Sequence, residues 1–120
     1  MVKKFTQKEA KVKSLTIGIK MDGIVHKKEH TFNKCRDKGP CRFDFYLIDY
    51  NMCIEYHGIQ HYVPESFSSD KSEATKLANL KNIQRRDAIK RGFCKKEEIR
   101  FLAIHYKDFN KIEEILENNI

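Results

Sequence analysis

No stretch of this sequence is apolar for long enough to cross a bilayer, and the N-terminal Met1-Val2-Lys3-Lys4-Phe5 lacks the apolar core of a secretion signal. The expectation is a cytoplasmic protein (in the host cell, if the source is viral) that is not secreted and has no membrane partner. The sequence also lacks a CxxC pair. Its four cysteines, Cys35, Cys41, Cys53 and Cys94, stand at spacings that match no common zinc pattern. An intracellular chain keeps such thiols reduced, and Cys53, inside an apolar strand, reads as a small packing residue. There is no internal repeat and no linker. With 120 residues, 40% of them hydrophobic and 34% charged, the chain reads as one globular domain, 1–120, rather than a disordered tail.

Positive charge is what the chain has in excess. The formal net charge is +7, which suits a polyanion such as nucleic acid. The excess is uneven. Residues 81–100 hold eight basic residues (Lys81, Arg85, Arg86, Lys90, Arg91, Lys95, Lys96, Arg100) against three acids, whereas 107–120 hold two against four. A positive face follows, with DNA as the expected partner.

Thr6-Gln7-Lys8-Glu9 forms a capping box ahead of Val12, Leu15 and Ile19, which predicts a first helix ending at Asp22-Gly23. Ile24–Phe32 reads as a strand, and the polar run Asn33–Pro40 as a loop. Strands are expected over 42–47 and 52–57, joined by Asp49-Tyr50-Asn51. After a loop over 58–71 comes a helix over 72–92, with Ala74, Leu77, Ala78 and Ile89 as its stripe and Gly92 as its stop. A strand over 99–106 and a helix marked by Phe109, Ile112 and Leu116 complete the order α-β-β-β-α-β-α. That is an α/β domain with a mixed central sheet flanked by helices.

The hairpin over 42–57 poses the chemical question, because its apolar strands carry Asp44, Glu55 and His57. A turn near 49–50 sets Asp44 opposite Glu55. Alternation then puts Arg42, Asp44, Tyr46, Cys53, Glu55 and His57 on one face, and Phe43, Phe45, Leu47, Ile54 and Tyr56 on the other. Facing carboxylates repel and raise one pKa. Two resolutions are open: an oxygen-liking divalent ion, Mg²⁺ above all, or neutralisation by Arg42 or a lysine on a wet face. His57 is placed to orient or deprotonate water. Gln60 and His61 follow in a loop that can turn back toward the same face.

Asp44 followed by Glu55-x-His57, each within an apolar strand, resembles the D…(D/E)xK signature of the PD-(D/E)XK nuclease superfamily. The wording "RFDFYL", "CIEYHGIQHY", "QRRDAIKRGFC" and "IRFLAIHY" is similar to the Vsr-like (very-short-patch-repair-type) and phage homing-endonuclease branch, from about Thr6 to the C-terminus. The resemblance implies a restriction-endonuclease-like fold and a Mg²⁺-dependent DNA endonuclease, with Mn²⁺ able to substitute. It implies Asp44 and Glu55 as metal ligands, His57 and His61 as catalytic histidines, Glu9 as a helper on the first helix, and Asp87 as a helix acid behind the site. Glu9 has a competing task in its capping box. The chain departs from the pattern where His57 stands in place of the superfamily lysine, and where "AIHY" replaces the usual "RIPY". These departures bear on the general base more than on the metal.

The expected function is therefore phosphodiester hydrolysis by a homing-type or repair-type enzyme of phage or mobile-element origin. Asp44, Glu55, His57, His61, Glu9 and Gln60 are its candidate catalytic residues, and Arg42, Lys81, Arg85, Arg86 and Lys90 its DNA contacts. Specificity would come from a homodimer, a partner protein or DNA structure. Two other readings stay open: a junction- or flap-specific nuclease of the same fold, and a binding module that has lost catalysis.

Overall fold

A computed structural model describes residues 24–66 and 69–119; the expected first helix, with Glu9, lies outside them. Four strands, β1 (His26–Arg36), β2 (Pro40–Leu47), β3 (Met52–His57) and β4 (Arg100–His105), form one sheet in the order β1-β2-β3-β4. The first two pairings are antiparallel, and β3 pairs β4 in parallel. The long helix α1 (Glu73–Lys96) connects β3 to β4, and α2 (Ile112–Asn119) follows β4. Short 3-10 helices span Ile59–His61 and Tyr106–Lys111. This is the mixed α/β arrangement expected of the sequence. No helix among the described residues is long and apolar enough to cross a membrane.

The sheet is buried on two sides. Odd-numbered β3 residues look toward α1, where Cys53 joins Cys35, Cys41, Phe43 and Cys94, with Ile89 and Phe93 packed against them. Even-numbered ones look toward α2, where Met52, Ile54 and Tyr56 join Phe45, Leu47, Ile104, Ile112 and Leu116. β3 is covered on both sides, which is why it reads as a nearly unbroken apolar run. All four cysteines are free thiols in the α1-side core. Burial, then the neighbouring Cys41, pushes the Cys35 thiol up to about 12.

Three expectations are corrected. The loop over Asn33–Pro40 shrinks to residues 37–39, because β1 continues to Arg36 and β2 begins at Pro40. Gly92 does not stop the helix. α1 runs on to Lys96, and Glu98, at φ 58°, makes the left-handed exit instead. The expected stripe of α1 is also displaced: Leu77 is 46% exposed, while Ile89, Phe93 and Cys94 make the contact. The first half of the helix follows from its cap, where Ser72 accepts the Thr75 N–H at 3.3 Å. A Cβ on Gly92 would meet nothing within 4 Å. Gly92→Ala is thus expected to stabilise the fold by about 0.5–1 kcal/mol, seen as a higher melting temperature.

The feature that builds the site is a change of face in β1 and β2. From Phe45↔Ile54 to Leu47↔Met52 the β2–β3 register follows the pairing expected of the hairpin. By alternation Phe43 should share the α2 face with Phe45, yet it sits in the α1-side core. β1 flips at the same level. His26 edges against Phe45, but His30 stacks on Tyr46 and touches Phe32, on the α1 side. Between them Glu29 takes φ 48°, the left-handed region that non-glycine residues avoid. The kink at Glu29 and Asp44 is a local twist within an unbroken register, flanked by Lys28↔Phe45 and His30↔Phe43; the register shift of this pair lies further on, between Thr31 and Arg36. The kink turns the far end of the β1–β2 ribbon toward α1.

Candidate active site

The β2–β3 ladder ends at Phe45↔Ile54, so the next residues, Asp44 and Glu55, do not form a ladder pair. The strands part there. The backbone N–H of Tyr56, on the side β2 has left, donates instead to Asp44 Oδ2 at 2.8 Å. Burial and the nearby charge of Glu55 push the Asp44 carboxyl up to about 6. The two acids influence each other's ionisation, but the expected ladder opposition of Asp44 and Glu55 is not formed.

Glu55 is 3% exposed, and both its oxygens are engaged. Lys90 of α1 donates to Oε1 at 2.5 Å, and His57 Nε2 lies 3.0 Å from Oε2. β3 ends at His57, and the 3-10 turn behind it carries His61 back over the same face. The two imidazoles stack with centroids 4.1 Å apart and planes 9° from parallel. Asp87, one helical turn before Lys90, faces both rings. Its Oδ2 is 2.8 Å from His61 Nδ1, and its Oδ1 is 3.9 Å from His57 Nε2. Burial works to raise the Asp87 carboxyl. The hydrogen bond from His61 and the charges of His61, His57 and Lys90 outweigh it and hold the group below its usual value.

Asp44, Glu55, His57, His61 and Asp87 therefore converge, from three segments of the chain. Gln60 lines the same cleft, a hollow of about 360 Å³ shared with Arg42, His61, Arg86, Asp87 and Lys90. Arg86 also lines the two neighbouring hollows, one toward Asp37–Pro40 and one toward Glu65 and Asn79. Of the expected DNA contacts, Arg42, Arg86 and Lys81 are exposed. Arg85 is exposed but bound to Asp37 at 2.8 Å, tying the β1–β2 turn to α1.

Lys90 is set apart from these. Its side chain is half-buried, and its ammonium pairs with Glu55, above the Phe43 ring at 5.5 Å. A lysine of the helix thus reaches an acid of the strand. A sequence signal for it existed in the spacing Asp87-x-x-Lys90, which puts both side chains on one helical face. His105, the histidine of "AIHY", packs on Tyr62 and Tyr106 with ring centroids 4.2 and 4.5 Å away. No family model, curated protein or solved structure matches this chain.

Proposed function

We propose that this chain is a metal-dependent DNA endonuclease with a restriction-endonuclease-like core, hydrolysing phosphodiester bonds. What supports the reading is one observation: Asp44, Glu55, Lys90 and the His61–Asp87 pair meet where β2 and β3 part, beside a cleft carrying Arg42 and Arg86. Asp44 and Glu55 are the residues that would hold Mg²⁺, with Mn²⁺ as a substitute. The donor set fits, because two crowded carboxylates call for a cation, and among the described residues Lys90, the His57 ring and the Tyr56 N–H answer them in its place. Such an ion would polarise the scissile phosphate and acidify a bound water.

The chain's own residues do the rest. With the His61 Nδ1–H donated to Asp87, Nε2 is the basic nitrogen, available to take a proton from water. Lys90, once Glu55 has another counter-charge, can stabilise the charge developing on the phosphate. Arg42, Arg86 and Lys81 grip the backbone, and sequence selectivity comes from a homodimer, a partner protein or the shape of the DNA. In this reading the source is a phage or mobile element. The closed Glu55–Lys90 pair favours a second reading, a nucleic-acid-binding module in which the acids are structural.

Supercoiled plasmid and labelled duplex, flap and four-way-junction DNA, each in Mg²⁺, Mn²⁺ and EDTA, separate the two. Scission of at least one substrate, abolished by EDTA, is expected; inertness on all of them with DNA binding intact supports the module. For the grip, Arg86→Ala is expected to weaken binding and to reduce the slope of log affinity against log salt by about 1. A binding titration at several salt concentrations measures it.

A further inference from the structure

We infer that His57, His61 and Asp87 form a site for a borderline transition-metal ion of the Zn²⁺ class, separate from the Asp44–Glu55 carboxylates. One ligand atom from each lies within 4.8 Å of the other two. The arrangement is directional as well as close. The stacked rings present His57 Nε2 and His61 Nδ1 to the same carboxylate, one to each oxygen. Two imidazoles and a carboxylate suit Zn²⁺ or Co²⁺, whereas Mg²⁺ takes oxygen ligands almost alone. Zinc bonds of about 2.0 Å would draw these atoms together by turning the two rings out of their parallel stack.

The surroundings are built for an ion with an open position. His57 is buried, while His61 and Asp87 line the cleft. Gln60 Oε1, in the wall of that cleft, is buried and accepts no hydrogen bond among the described residues. A water on the ion's fourth position would give it a donor. Glu55 beside His57 supplies further negative charge.

The consequence is regulatory, and that part rests on the nuclease reading. An ion on Nδ1 of His61 leaves the ring's proton on Nε2, the nitrogen that would otherwise accept one from water. Transition-metal capture and catalysis then exclude each other, and Zn²⁺ inhibits cleavage supported by Mg²⁺.

Chelator-stripped protein is titrated with Co²⁺ and followed by visible absorption. The visible bands of tetrahedral cobalt are expected at one ion per chain, displaced by Zn²⁺ and not by excess Mg²⁺. Affinity should fall at least about tenfold in His61→Ala and in Asp87→Asn and persist in Asp44→Asn, with circular dichroism confirming that each variant is folded. Absence of the bands, or bands unchanged in both variants, overturns the inference. So does an intense sulfur-to-cobalt charge-transfer band, which would assign the ion to the buried cysteines. The spectrum is read without DNA, so inactivity on every substrate would sink the nuclease reading and leave this result standing.

Discussion

Asp44→Asn is expected to abolish cleavage and yet to raise the melting temperature at neutral pH. The Asp44 carboxyl moves from 3.8 to about 6 because burial, then Glu55, disfavours its charge. A carboxyl whose folded pKa is raised holds its proton more tightly in the native state. Its contribution is complete below the unfolded value and is lost as pH rises through the folded one. Stability therefore falls between about pH 4 and pH 6, by roughly 2–3 kcal/mol if the whole shift is realised. Asparagine keeps an oxygen for the Tyr56 N–H and has no charge to lose. In EDTA, denaturant melts should show the wild type weakening across that window and Asp44→Asn staying level. Added Mg²⁺ should stabilise the wild type by mass action and leave the variant unmoved. An Asp44→Asn protein less stable than wild type at pH 7 would mean that the ionised carboxylate is already compensated by its neighbours.

Lys90→Met should cost far more stability than a surface lysine can. It strands Glu55, whose side chain is only 4% exposed, with no ammonium. Breaking one half of such a pair costs about 3–5 kcal/mol. Replacing both, in Lys90→Met with Glu55→Gln, should recover most of that, since the buried charge goes with its partner. A double-mutant cycle from urea melts measures the coupling. Unchanged stability with weakened DNA affinity would return Lys90 to the surface role expected of the sequence.

How far the residues announce this arrangement depends on the distance over which they act. The hairpin was legible because apolar residues crowd both strands around a polar turn, and the register follows from the turn. The pairings Phe45↔Ile54, Tyr46↔Cys53 and Leu47↔Met52 are those it implied. The change of face was not legible. It depends on Glu29 adopting φ 48° across from Asp44, and nothing in a glutamate's chemistry signals that backbone. Phe43 was assigned to the wrong side for this reason. α1 misled in another way: Leu77 and Ala78 suggested a buried first half, but only the second half meets the sheet. Gly92 suggested a stop, and tertiary contacts through Phe93 and Cys94 carry the helix past it. In the site, Asp44, Glu55, His57, His61 and Asp87 could each be named. That His61 binds Asp87, or that Lys90 reaches Glu55 across 35 residues, could not be known until the helix was laid on the strand.

Those joined pieces make catalysis at the parting of β2 and β3 the central claim. Its most direct test is cleavage of whichever DNA is cut, in Mg²⁺, by wild type, Asp44→Asn and Glu55→Gln at equal bound fraction. The expected result is metal-dependent scission by the wild type and a loss of at least about a hundredfold in both variants, with DNA affinity kept or raised. Variants that cut as fast as the wild type would contradict the claim and place the activity elsewhere.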